Sequence, residues 1–354
     1  MSESIPMENV AKKFEKHEYG VIYLDILGQK ELMKKLEVEE VNPEDEEKMQ
    51  KVLKYIKTFL REVRSIREGV APEKAPILYE YYIKNRVDGI DYEEFEASLK
   101  ELVFGIQQFS DTTMVYIRLD GEHPFMARQL FSRLLCTLES SLFQALKEGI
   151  FIRGAITKGF GWEIEPNNLY GPVIRDASKL ELTEPKWSRV VVSNEVVDLY
   201  RNVLHAYENE EQDYAQEIQL IKSTFIKGSD GECQLALFPL CVLQLNAKKD
   251  NDRERPRRTV KHFLKVLQEV DVNLKSHQAR LKSGKDDVEE MEKLIKRGNF
   301  FKQEIMSGVL TFINLCKNED SLSKEECVEF EDQIKTEMHD DIGYCEPLRS
   351  IFED

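Results

Sequence analysis

Two aspartates stand where a carboxylate is costly. Asp25 ends the short apolar run Val21 to Leu24, within Tyr19-Gly-Val-Ile-Tyr-Leu-Asp-Ile-Leu-Gly28. Asp111 lies in Gln107-Gln-Phe-Ser-Asp-Thr-Thr-Met-Val-Tyr-Ile, at a Ser-Asp turn between two apolar runs. An ionised carboxylate at the end of a buried strand is unfavourable unless something cationic meets it. Two readings of Asp25 fit its surroundings. It caps the helix-like stretch Glu31 to Leu36, or it binds a divalent ion while the glycine turn after it offers N–H groups to a triphosphate. Two carboxylates brought together repel in the absence of a metal. With two divalent ions they suit an in-line attack on phosphorus.

The elements that must position this pair follow from periodicity. Val21 to Leu24, bounded by Gly20 and Gly28, reads as a buried strand. Gly105 to Leu119 reads as a β-hairpin with Asp111 at its tip. Ala127 to Leu146 is a helix, with Leu130, Leu134, Leu138, Leu142 and Leu146 on one side. Ile150 to Gly159 is a strand, and Gly154 within it implies close backbone approach. Leu169-Tyr-Gly-Pro leads into a helix reaching Glu181. Val190 to Val192 is a strand, Glu195 to Tyr200 a short helix, and Ser223 to Gly228 with Cys233 to Leu245 a final hairpin. The order implies an α/β (α+β) fold, with a mixed sheet like a ferredoxin-like unit with additions.

Around this core the chain is helical. Asn42-Pro-Glu-Asp has helix-start chemistry. Met49, Leu53, Ile56, Leu60 and Val63 then recur at helical spacing. Tyr92 to Phe104 reads as a further helix, while Pro76 to Asp91 has no clear period. Glu208 to Glu217 reads as a solvated acidic stretch. Arg253 to Arg258 reads as a basic, Pro-broken linker. Val260 to Arg280, Val288 to Arg297 and Phe301 to Cys316 read as helices. The expected division is 1–37 and 99–250 for a catalytic domain, 38–98 for a helical insertion and 251–354 for a helical C-terminal extension.

Composition narrows the partners. The 354 residues include 50 Lys+Arg against 66 Asp+Glu, a net charge of −16. That balance argues against a nucleic-acid or anionic-membrane surface. No run approaches a bilayer span, and the polar N-terminus lacks a secretory h-region. The six cysteines form no C-x-x-C pair and read as reduced thiols of a cytoplasmic protein. The six histidines show no metal-ligand spacing, and there is no Walker-type phosphate loop.

Leu-Asp-Ile-x-Gly, the Ser-Asp hairpin, Arg-Gly-Ala-Ile-x-x-Gly and Gly-x-x-x-x-x-Ala-x-x-Leu-Glu occur in that order. Together they resemble the catalytic domain of class III nucleotide cyclases over roughly residues 18 to 245. The long insertion, the helical tail and Ser-Asp in place of Gly-Asp are most similar to the bacterial pyrimidine cyclases of the Pycsar antiphage defence system. The resemblance implies synthesis of cyclic UMP or cyclic CMP, with release of pyrophosphate, for a cyclic-nucleotide-activated effector. It implies two Mn2+ or Mg2+ ions per site and a homodimer that divides each site between subunits. Asp25 and Asp111 match the metal aspartates, and the Ile26 backbone joins the metal shell. Leu27, Gly28 and Gln29 match the phosphate cradle. Tyr23, Gln107 and Asn168 match base-pocket positions. Arg175 and Lys179 fall where the family has its transition-state asparagine and arginine, a departure that leaves their roles open. Lys227 matches a lysine for the terminal phosphates. Taken singly, these read as a core tyrosine, turn amides, a solvated helix face and a turn lysine; their register gives them function. Uridine is preferred over cytidine without a physical ground, because an amide can turn to suit either edge. The alternatives are a purine (adenylate or guanylate) cyclase and a catalytically degenerate nucleotide-binding domain.

Overall fold

The computed structural model describes residues 14–27, 29–37, 42–85, 91–109, 112–121, 124–148, 150–183 and 189–208, and parts of 218–337. The strands are β1 (His17–Ile26), β2 (Phe104–Phe109), β3 (Thr112–Arg118), β4 (Ile152–Glu165), β5 (Asn168–Tyr170), β6 (Val190–Val192), β7 (Phe225–Lys227) and β8 (Cys233–Leu235). They form one mixed sheet in the order β2-β3-β1-β4-β6-β8-β7, with β5 paired to β4. The stretch β2-β3-β1-β4 has antiparallel neighbours throughout. It is the ferredoxin-like βαββαβ arrangement that the sequence implies. The β4–β6 pair is parallel, which makes the sheet mixed.

β1 is central because both of its faces are apolar. Ile22, Leu24 and Ile26 join a large cluster on one face with the buried stripe of α2 (Pro43–Gly69), α4 (Tyr92–Lys100), α5 (Phe125–Lys147) and α7 (Asn194–Glu208). Tyr19 and Val21 lie on the other face with Met114, Tyr116 and Leu169, under Val173 and Ala177 of α6 (Pro172–Thr183). The insertion therefore shares the core of the sheet. Its first long helix starts as its sequence implies, with Asn42 Oδ1 accepting from Glu44 N at 3.0 Å. A third cluster joins Phe143 of α5 to Val260, Leu264, Ile305, Val309 and residues of the C-terminal helix Lys324–Glu337.

Several boundaries differ from the sequence reading. The helix expected to reach Phe104 stops at Lys100, because Phe104 opens β2 opposite Ile117 and is buried there. The unassigned stretch after Pro72 contains α3 (Ala75–Asn85), which packs on α4 through Tyr79 and Phe95. β4 runs on to Glu165 and turns into β5 through Asn167, whose φ of 66° is left-handed. In the basic linker, residues 256–258 are helical, and Arg257 ion-pairs with Glu326. The helix Lys324–Glu337 has no counterpart in the sequence reading. Residues 209–217 lie outside the described residues, as does the last hairpin beyond Leu235. Among the described residues no helix is long and apolar enough to cross a membrane.

Candidate active site

Side chains alternate along a strand, so Asp25 shares the α6 face with Tyr19, Val21 and Tyr23. In the ladders Asp25 pairs with Thr112 of β3 on one side and Arg153 of β4 on the other. Thr112 directly follows Asp111 in the chain; Asp111 itself, like Gly28, lies outside the described residues. β1 and β4 approach closely here because Gly154 has no side chain. A Cβ at Gly154 would lie 2.4 Å from the Tyr23 carbonyl oxygen.

The cation that a buried-end carboxylate calls for is Arg153. Its Nε and Nη2 donate to Asp25 Oδ2 at 3.1 and 2.9 Å. The same guanidinium ion-pairs with Glu181 of α6. The Asp25 side chain is 15% exposed and that of Glu181 3%. One arginine thus neutralises two carboxylates and ties β1, β4 and α6 together. The sequence carried a signal for this arginine: a charge flanked by Phe151, Ile152 and Gly154 in an apolar strand needs a partner.

The turn after Asp25 differs from the expected phosphate cradle. The Leu27 N–H donates to the Phe151 carbonyl at 2.9 Å, so it is not available to a phosphate. Gln29 opens α1 (Gln29–Leu36) with a buried side chain, and its Oε1 accepts no hydrogen bond among the described residues. What α1 still offers an anion is its N-terminal N–H groups.

Gln107 and Asn168 come together. Leu169 N donates to Gln107 Oε1, and Gln107 Nε2 donates to Asn168 Oδ1, each at 3.2 Å. A backbone N–H can only donate, so Gln107 Oε1 must face it, and both amides are thereby oriented. The second Nε2 hydrogen of Gln107 and the Nδ2 group of Asn168 make no hydrogen bond among the described residues. A hydrogen-bonded brace holds this turn. Glu163 Oε1 accepts from Tyr116 OH at 2.6 Å and from Asn167 N at 3.2 Å. Asn167 Oδ1 accepts from Ile106 N at 3.1 Å. Burial and the nearby Glu163 charge push the Tyr19 hydroxyl up to about 12. Burial and the bond to Glu163 raise that of Tyr116 as well.

Tyr23 pairs with Met114, which pairs with Gln107, so all three lie in one row across the α6 face. With strands about 4.8 Å apart, Gln107 sits roughly 10 Å from Tyr23 across the sheet. Arg175 and Lys179 are on the exposed side of α6, one turn apart. The Arg175 side chain is 74% exposed and donates to Asp176 Oδ1 from Nε and Nη2, at 3.0 and 2.9 Å. Lys227 ends β7, four strand spacings from β1, or about 19 Å. Within one chain Lys227 is therefore not brought to Asp25.

Oxygen donors such as the Asp25 carboxylate and the buried Gln29 amide are those a hard divalent ion takes. An ion at Asp25 would share that carboxylate with Arg153. Among the described residues no group of three His, Cys, Asp or Glu side chains is placed to hold a metal.

No protein-family model matches the chain, and no curated protein matches it. Among solved structures it is similar to the catalytic core of a rhodopsin-guanylyl cyclase with converted specificity in complex with ATPαS. The identity is 11% and the TM-score 0.29, over 63% of this chain and 96% of that one. A likeness at this level says nothing of activity or ligand; the architecture is that of the sheet order itself, an α+β fold with a mixed sheet flanked by helices.

Proposed function

We propose that this chain is a nucleotide cyclase acting on a pyrimidine nucleoside triphosphate. The observation that carries the reading is the ladder position of Asp25. It faces Thr112, one peptide bond from Asp111, on the sheet face that also holds Tyr23, Gln107 and Asn168. In the reaction the ribose 3′-oxygen bonds to the α-phosphorus, the bond to the pyrophosphate oxygen breaks, and the hydroxyl proton leaves. Asp25 and Asp111 would hold divalent ions, whose chemistry there would be to lower the pKa of that hydroxyl and to neutralise charge on the leaving group. Arg153 fixes the Asp25 carboxylate through Oδ2. Arg175 and Lys179 are cations for the charge that develops on phosphorus, and Lys227 for the terminal phosphates.

The amide pair supports a choice of base. Open N–H donors match an edge with two adjacent acceptors, which cytosine has in N3 and O2 among the pyrimidines and guanine in O6 and N7 among the purines. Uracil separates its two carbonyls by a donor, and adenine presents a donor amine beside its acceptor. The reading therefore favours CTP, with cyclic CMP as product, over UTP and cyclic UMP. Lys227 and Asp25 lie on well-separated strands of one chain, and a twofold partner would supply the one to the other. A C2 homodimer with two sites is part of this reading. The cyclic product would act as a second messenger for an effector protein, as in antiphage defence.

A second reading, a nucleotide-binding domain without turnover, is favoured by one observation: Arg153 already occupies the carboxylate assigned to metal. Incubation with Mn2+ and each of the four nucleoside triphosphates separates the possibilities. Cyclic pyrimidine product is expected, with CTP used best. No product from any triphosphate would favour the binding domain, and cyclic AMP or GMP a purine cyclase. Asp25→Ala and Asp111→Ala are expected to abolish turnover in a folded dimer; full turnover in either would refute the metal assignment.

A further inference from the structure

On the opposite face of the sheet, a crevice of about 640 Å³ opens between the helical insertion and edge strand β2. Its floor is apolar, with Leu60 of α2, Leu99 at the end of α4 and Phe104 of β2, all buried. Its rim is net cationic: Arg64, Arg67 and Glu68 of α2 line it, with Lys100 of α4, which is paired to Glu96. Among the described residues neither guanidinium has a hydrogen bond or ion pair. In a chain of net charge −16, two arginines left open over an apolar floor are unusual. They are not needed to cap the helix ends around them. Val70 N satisfies the Arg67 carbonyl, and Lys74 Nζ donates to the Glu68 carbonyl at 2.6 Å. At α4, Glu101 N and Leu102 N return to Ala97 and Leu99.

We propose that this crevice is a binding site for a phosphorylated small molecule with an aromatic body. Arginines three positions apart on a helix reach the same point, and two guanidiniums suit the several oxygens of one phosphate. Leu60, Leu99 and Phe104 then cover the aromatic ring. The volume lies within the range of small-ligand pockets. Asn167 also lines the crevice, and its neighbour Asn168 carries half of the amide pair on the far face. Occupancy would thus bear on the turn that holds that pair. The site is independent of the cyclase reading, since binding requires no turnover.

The test is calorimetric titration of the full chain with phenyl phosphate, inorganic phosphate and phenol. Saturable binding of phenyl phosphate is expected, with each of the other two weaker by about tenfold or more. Arg64→Gln combined with Arg67→Gln should weaken phenyl phosphate by about tenfold or more, and Arg61→Gln, on the same helix outside the crevice, by less than about twofold. Gln108→Trp, which fills the crevice and leaves both arginines, should also abolish binding. Circular dichroism checks that each variant is folded. No saturable binding to the wild type overturns the proposal. So does equal affinity for inorganic phosphate, which marks a surface anion contact, or unchanged affinity in the double variant or in Gln108→Trp.

Discussion

Arg153→Ala probes the candidate site without any assumption about catalysis. The substitution removes a cation that Asp25 and Glu181 share. Stripping one partner from a buried ion pair costs about 3–5 kcal/mol, because the charge left behind stays desolvated. Glu181 is nearly inaccessible and bears the larger share of that penalty, whereas Asp25 recovers part of it from water. The expected loss at neutral pH is about 3–4 kcal/mol, measured by urea denaturation. Arg153→Lys keeps the charge but not the fork that reaches both partners, and should cost about 1–2 kcal/mol. Added Mn2+ should raise the midpoint of Arg153→Ala more than that of the wild type, since the ion then meets Asp25 without the guanidinium in its way. A loss within about 1 kcal/mol, the range of an exposed pair, would refute the role given to this arginine.

Gly105→Ala should destabilise by about 2–4 kcal/mol, since its Cβ would lie 2.1 Å from a ring carbon of the buried, braced Tyr116. A double-mutant cycle with Tyr116→Leu should recover most of that loss, and additive losses would sink the explanation. Gln107→Glu should keep the bond from Leu169 N but turn Asn168 round, so that its oxygen faces outward. The preference for CTP over UTP, read as a kcat/KM ratio, should then fall by about tenfold; an unchanged ratio excludes the pair from base reading. At the C-terminal helix, the Ser323 N–H foremost, with Arg257, holds the Glu326 carboxyl below its usual range. A carboxyl lowered on folding adds stability above its unfolded pKa, and that stability is lost as pH falls through the folded value. Glu326→Gln should therefore lower the denaturation midpoint near neutral pH and match the wild type in acid; a gap that persists in acid would count against the assignment.

Local pattern was sufficient for most of the core elements, though not for α3 or the helix Lys324–Glu337. Apolar alternation marks β1 and the β2–β3 hairpin, leucine spacing marks α5, and Asn42-Pro marks the start of α2, because each signal spans only neighbours in the chain. The same locality placed Asp25 at a strand end and called for a cation beside it. It did not say which cation. That depended on the β1–β4 register, which sets Asp25 opposite Arg153, and on α6 bringing Glu181 to the same guanidinium. Register between strands so far apart in sequence is settled by packing of whole faces, not by any short stretch. The amides show the same division. Composition left Gln107 and Asn168 free to turn either way. The N–H of Leu169, delivered by a turn braced on Glu163, allows one orientation only. Residue types and their spacing determined which groups this protein can bring to a site; the tertiary structure decided their partners and which atoms they present.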